Sequence, residues 1–239
     1  MSGASVHELR VLARQLLNIS SPADAPTAYY ALFHDAARSA LYTTEDAQGH
    51  TTGFLCVCQT GVDLFRPLMT LRCLDEASAA MLLARALTPQ RPYILFARMN
   101  QLPLLSAHLD VDNLCALRIY RLNPRHFHPP VNTLVQTTHT PDGAPRWIIT
   151  GAQGRAVAGL NWRSPAFAEI YVQVDEAVRG RGWGMSVVAA ATQDVLTEGR
   201  VPLYLVAESN AASVRLAEGL GYTDTGAQQV LADIVLQAP

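Results

Sequence analysis

The sequence contains no lysine; all 18 of its basic residues are arginine. A lysine nucleophile is therefore excluded, and so is the Gly-Lys-Ser/Thr ending of a P-loop. Charge of either sign is sparse: charged residues make up 16% of the chain and the formal net charge is −2. No basic face or run of like charge marks a nucleic-acid partner. No apolar run approaches the ~18 residues that span a bilayer, and a charged-then-apolar leader is absent, so the pattern predicts no membrane partner and a cytoplasmic protein. Cysteine is scarce as well, at four residues. Cys56 and Cys58 alternate along a predicted strand while Cys73 and Cys115 stand alone, which reads as reduced buried thiols rather than a disulfide framework or a zinc site. His126 and His128 have no neighbouring cysteine or carboxylate cluster, so no metal is expected. What the chain does have is length and apolar content, 239 residues and 49% hydrophobic, enough for one large core or two small ones.

Taken in order, residues 1–22 and 25–39 read as helices. Strands follow at 41–44, 51–58 and 64–71, then a helix at 75–87, a strand at 92–97, a helix at 100–109 and a strand at 115–122. The stretch from Asn123 to Pro130 is proline-rich and aperiodic, the pattern of a linker. Beyond it, strands are predicted at 133–138, 146–150, 156–162 and 167–174, a helix at 183–198, a strand at 202–208, a helix at 210–219 and a terminal strand at 228–236. The order predicts an α/β fold with a mixed sheet. It also contains a repeat, because strand, helix, strand, helix over 64–109 recurs over 167–219. An ordinary α/β domain unrelated to the second half is the alternative for the first.

One loop organises the second half. Arg179-Gly180-Arg181-Gly182-Trp183-Gly184 lies between a predicted strand and a predicted helix, where glycines expose backbone N–H groups at a helix N-terminus and favour an anion. Two arginines in the loop add positive charge, so a diphosphate is the natural guest. A dinucleotide fingerprint is excluded by spacing, since Met185 stands where its third glycine belongs. In the first half the matching position reads Cys73-Leu74-Asp75-Glu76-Ala77, with two acids and no glycine.

The loop matches the pattern Arg/Gln-x-x-Gly-x-Gly/Ala. Downstream, Asn210 and Ser213 followed by Leu220-Gly221-Tyr222 match Asn-x-x-Ser/Ala and Leu-Gly-Phe/Tyr. In these two motifs, in this order, the chain resembles the GNAT superfamily of N-acetyltransferases, over roughly residues 130 to 239. The resemblance implies two GNAT-like halves, each a mixed, mostly antiparallel sheet flanked by helices: a degenerate domain over 1–124 and an acyl-CoA-binding catalytic domain over 130–239, with splayed central strands. It implies acetyl-CoA as cosubstrate, held by Arg179, Gly180, Arg181, Gly182, Trp183, Gly184 and Met185 at the loop and helix start. The backbone of Val172 and Val174 would pair with the pantetheine amides. Asn210 would hold the CoA arm, with Ser213 beside it. The helices that usually separate the first two strands of the family are absent here, since only a turn intervenes.

The implied reaction is direct attack on the thioester by a primary amine, of a small molecule or a peptide N-terminus. Glu169 resembles the catalytic glutamate of the histone-acetyltransferase branch, one residue out of register unless a bulge intervenes. Tyr171 lies on the same strand face and is the second catalytic candidate. The tyrosine that usually protonates the leaving thiolate is replaced by Ala217, which leaves water, Tyr171 or Tyr204. A protein that kept the loop and lost the acid would instead be an acyl-CoA sensor or regulatory protein. Acceptor and acyl length are left open, as is the choice between monomer and homodimer.

Overall fold

The computed structural model describes residues 5–61, 63–130, 132–141 and 143–237. In chain order the elements are α1 (Val6–Arg14), α2 (Ala25–Ala28), β1 (Ser39–Glu45), β2 (Thr51–Cys58), β3 (Leu68–Cys73), α3 (Glu76–Ala86), β4 (Pro92–Arg98) and β5 (Leu109–Leu122). They continue as β6 (Gln136–His139), β7 (Pro145–Gly151), β8 (Gly154–Arg163), β9 (Phe167–Val174), α4 (Trp183–Thr197), β10 (Val201–Ala207), α5 (Ala211–Gly219) and β11 (Tyr222–Leu236). No helix among the described residues is long and apolar enough to cross a membrane.

Two compact units form, Met1–Leu117 with Ala227–Pro239, and Arg118–Gly226. The unit boundaries fall inside β5 and inside β11, and both strands run longer than their apolar cores suggest. In the first unit the sheet order is β1, β2, β3, β4, β11, β5. Side chains alternate across β2 as the pleat requires. Leu55 packs with Leu82 and Leu83 of α3, while Phe54, Cys56 and Cys58 pack with Ala13 of α1 and Ala28 of α2. Asp75 caps α3 by accepting from the Ser78 N–H at 2.7 Å.

In the second unit the order is β11, β5, β10, β9, β8, β7, β6. β7, β8 and β9 are antiparallel neighbours, and β10 joins β9 in parallel after the α4 crossover. Val187, Val188, Ala191 and Val195 of α4 are buried on Trp147, Ile149, Ala156, Ala168 and Ile170. Each fully buried valine or isoleucine stabilises the unit by about 1.5–3 kcal/mol relative to exposure. Trp147 Nε1 donates to Asp194 Oδ2 at 2.7 Å, which fixes α4 along the sheet. Because Ala168 and Ile170 face α4, Glu169 and Tyr171 face the other side.

Four element predictions need correction. The first helix stops at Arg14, where Asn18 turns its side-chain oxygen to the Ser20 N–H and competes with helical bonding. Residues 25–39 form only a short helix, a widened turn over Tyr29–Phe33 and a tight turn over Ala36–Arg38. Residues 64–67 are not strand: Asp63 accepts from the N–H groups of Phe65 and Arg66, and Leu64 and Phe65 stand exposed. Pro103 prevents an α-helix over 100–109, leaving a 3₁₀ stretch at Met99–Leu104.

Candidate functional site

The site begins with a strand pair that comes apart. β9 and β10 pair only through Phe167, Ala168 and Glu169 opposite Val201, Pro202 and Leu203. β9 then runs on to Val174 and β10 to Ala207, so the edges of both strands beyond Glu169 and Leu203 are left to a guest.

At the end of β9 the chain turns into α4 through Gly180 and Gly182, with φ of 75° and 76°. Both occupy the left-handed region that only glycine enters freely, and a side chain at either would meet no atom, so conformation alone demands glycine. Gly184 differs. A Cβ there would lie 3.0 Å from Val174 Cγ2 and 3.2 Å from Leu216 Cδ1, so close packing of the helix start on β9 and α5 requires it. The α4 N-terminus has no side-chain cap, which leaves its first N–H groups to an anion.

Facing it is the start of α5. Asn210 caps that helix by accepting from the Ser213 N–H at 3.1 Å, so its side-chain NH₂ is the group left to donate. The Ser213 hydroxyl bonds the Tyr204 hydroxyl at 2.9 Å. Between fork, loop and α5 lies an open cleft of about 560 Å³. Every residue that the sequence assigns to CoA lines it except Arg181, whose guanidinium turns away to Gln153. Four lining residues escaped the sequence reading: Val178 and, on α5, Ala212, Arg215 and Leu216. The i, i+3, i+4 spacing of the three on α5 was the available signal. Arg179 and Arg215 bring two positive charges to the cleft.

Glu169 and Tyr171 do not line the cleft; they sit on the sheet face opposite α4. Glu169 is 7% exposed, and burial pushes its carboxyl up to about 7, opposed by the Asn161 hydrogen bond and by Trp162 beside it. Asn161 Nδ2 donates to Glu169 Oε1 at 2.7 Å. A bulge is present, though on β8 rather than β9, so Glu169 keeps the face that simple alternation gives it. Tyr171 lies over Gly159 of β8, where a Cβ would fall 2.6 Å from the ring. Tyr204 is buried, which raises its hydroxyl pKa. Ala217 is fully buried in the α4 core, and Tyr222 is buried with its hydroxyl 2.7 Å from that of Thr192. Among the described residues no group of three or more His, Cys, Asp or Glu is placed to hold a metal.

The first unit has a fork of the same kind, filled from within. β3 and β4 pair in parallel only at Leu68 with Ile94 and Met69 with Leu95. The buried Gln101 side chain accepts from the Cys73 N–H at 2.7 Å, and Asp75 rather than a glycine loop precedes the helix.

Similarity to solved structures extends over nearly the whole chain. The match is 14% identical to a GCN5-related N-acetyltransferase-like protein from Streptococcus suis, covering 96% of this chain and 99% of that one, with a TM-score of 0.60. The chain has the GNAT fold. A GCN5-related N-acetyltransferase from Sphaerobacter thermophilus matches at 12% identity over 98% of this chain and 95% of that one, with a TM-score of 0.61. A tandem GNAT protein of the clavulanic acid biosynthesis pathway matches at 14% identity, 98% and 95% coverage and a TM-score of 0.58. The model of the FR47-like protein family matches residues 148–231, which hold the GNAT fork, the glycine loop and both flanking helices. No curated protein matches the sequence.

Proposed function

We propose that the second unit is an acyl-CoA-dependent N-acyltransferase, with acetyl-CoA as donor and a primary amine of a small molecule or peptide N-terminus as acceptor. The observation that carries this reading is the open cleft at the β9–β10 fork, bounded by the uncapped start of α4 and the capped start of α5. The residues fit such a donor. Arg179, Arg215 and the α4 N–H groups suit its phosphates; Val172, Val174 and Leu216 suit an apolar arm, and the Asn210 NH₂ suits an amide carbonyl along it. The first unit, with Gln101 in its fork, we read as a degenerate copy without a CoA site.

When bound, the donor supplies an activated thioester carbonyl. The backbone of β9 at the fork offers N–H groups to polarise that carbonyl. Glu169, with a pKa near neutrality, takes the proton from the acceptor ammonium, leaving the free amine to attack. Tyr204 supplies a proton to the leaving thiolate through Ser213, in the role for which Ala217 has no group.

Calorimetric titration with acetyl-CoA and CoA, followed by free-thiol release across an amine panel, tests the reading. Micromolar binding, about −8 kcal/mol, lost in Gly182→Glu while cooperative melting persists, is expected, together with amine-dependent thiol release. Binding without turnover on any amine would make the protein a sensor of acyl-CoA; no binding would remove the reading altogether.

A further inference from the structure

Opposite Glu169, strand β8 is irregular. Leu160 pairs with Ile170 and Trp162 pairs with Glu169, so Asn161 is an extra residue with no partner of its own. In an unbroken strand Trp162 would lie opposite Ala168 and face α4. The bulge brings it round to the Glu169 side, so β8 packs the Trp162 ring beside the carboxyl while the Asn161 amide hydrogen-bonds it. The two differ in setting. Trp162 is 3% exposed, whereas Asn161 is exposed to solvent and reaches inward to a buried carboxyl.

We propose that Asn161 is a positioning residue for Glu169: its amide holds Oε1, fixing the carboxyl plane and leaving Oε2 as the oxygen that gains and gives up the proton. The chemistry follows from the donor, because an oxygen already accepting an N–H at 2.7 Å does not carry its own proton on that side. The surroundings leave this contact in control. On the Glu169 face, β8 offers Asn161 and Trp162, β9 offers Tyr171, and β10 has Leu203 at the same level. Arg163, next along β8, pairs with Ala168 and belongs to the other face. Among the described residues no charged side chain enters the balance at Glu169; burial favours the neutral acid, and the Asn161 hydrogen bond, with the Trp162 ring beside it, favours the anion. Asn161 thus connects the base to solvent and tunes when it is free to act. The inference rests on the acyl-transfer reading for its purpose, though not for its measurement.

The test is a ¹³C-carboxyl NMR titration of the full chain with labelled glutamate, the Glu169 signal being identified by its loss in Glu169→Gln. Asn161→Ala is expected to raise the Glu169 midpoint by about one pH unit. Asn161→Asp, which keeps the shape but replaces the donor with a carboxyl, is expected to raise the upper midpoint of the pair further. A role in packing alone predicts that the Asp variant behaves like the parent. The acid limb of kcat/KM is expected to move with the NMR midpoint while acetyl-CoA affinity stays unchanged. Unmoved midpoints in both variants overturn the proposal even if the protein transfers acyl groups. Shifted midpoints in a protein that releases no CoA with any amine sustain it and overturn the acyl-transfer reading instead.

Discussion

Glu169 and Leu203 are the last residue pair of the β9–β10 ladder, so a buried carboxyl stands where two parallel strands part. Leu203 is fully buried and has nothing to offer a charge. The fold thus places an acid at the one point of the strand pair that combines an apolar partner with an adjacent opening. Its raised pKa is a consequence of that placement.

The same burial makes stability depend on pH. Glu169 ionises near 7 in the folded chain against 4.5 for the ordinary side chain, so between those values the folded state holds the extra proton. Stability therefore falls as pH rises through this window, by on the order of 3 kcal/mol in full, and the favourable contribution is present at low pH. Glu169→Gln lacks the ionisation. Thermal melts from pH 5 to pH 8 are expected to show the parent losing several degrees relative to the glutamine variant. Parallel curves would mean that Glu169 is charged in the folded protein.

Asn210 caps α5 and, on the proposed reading, also holds CoA, and two substitutions separate the two. Its oxygen caps α5, and the residue lines the cleft with its NH₂ left to donate. Asn210→Asp keeps the cap oxygen, so stability is expected to stay within about 0.5 kcal/mol, yet it loses the donor and adds a negative charge beside phosphates. Asn210→Ala loses both, at a cost of about 1 kcal/mol. CoA affinity measured by calorimetry is expected to fall at least about tenfold in each. An Asp variant that binds CoA as the parent does would show that the cap is the residue's whole contribution.

Much of this site was legible because its signals are local. The strand over Phe167–Val174, the glycine loop and the two helix starts are written in consecutive residues, and strand β9 begins and ends where alternation predicts. The bulge at Asn161 was not legible, since Asn161-Trp162-Arg163 carries no glycine and its meaning depends on which residue of β9 lies opposite. Gln101 was hidden for the same reason: it meets Cys73 across 28 positions of sequence. The helices expected over 1–22 and 100–109 failed where a polar side chain or a proline overrode apolar periodicity, at Asn18 and Pro103.

Gly182 and Gly184 answer to different forces, and substitution tells them apart. Gly182 needs a positive φ and has open space around it, so Gly182→Ala is expected to destabilise by about 1 kcal/mol and Gly182→Asn by less, since asparagine tolerates the left-handed region. Gly184 has no room. Asparagine there must displace Val174 and Leu216, and it is expected to be worse than alanine. Opposite rank orders of Ala and Asn at the two positions, read as melting temperatures, are the outcome sought; the same order at both would refute the separation.

The proposed acid is open to a direct test, because Ala217, which the resemblance sets where GNAT proteins usually carry a tyrosine, lies inside the core. The nearest hydroxyl pair to the cleft is Tyr204 with Ser213, 2.9 Å apart, and burial keeps Tyr204 protonated well beyond neutral pH, as a donor must be. Tyr204→Phe removes one hydroxyl and leaves the ring that packs on Tyr222. With a competent amine, kcat is expected to fall by about 10²-fold while the CoA dissociation constant changes by less than about threefold. Ser213→Ala should reproduce the loss in kcat, and the double variant should lose little more than either single one, as members of one relay do. Full additivity of the two losses would assign the hydroxyls to separate tasks and return the thiolate's proton to water.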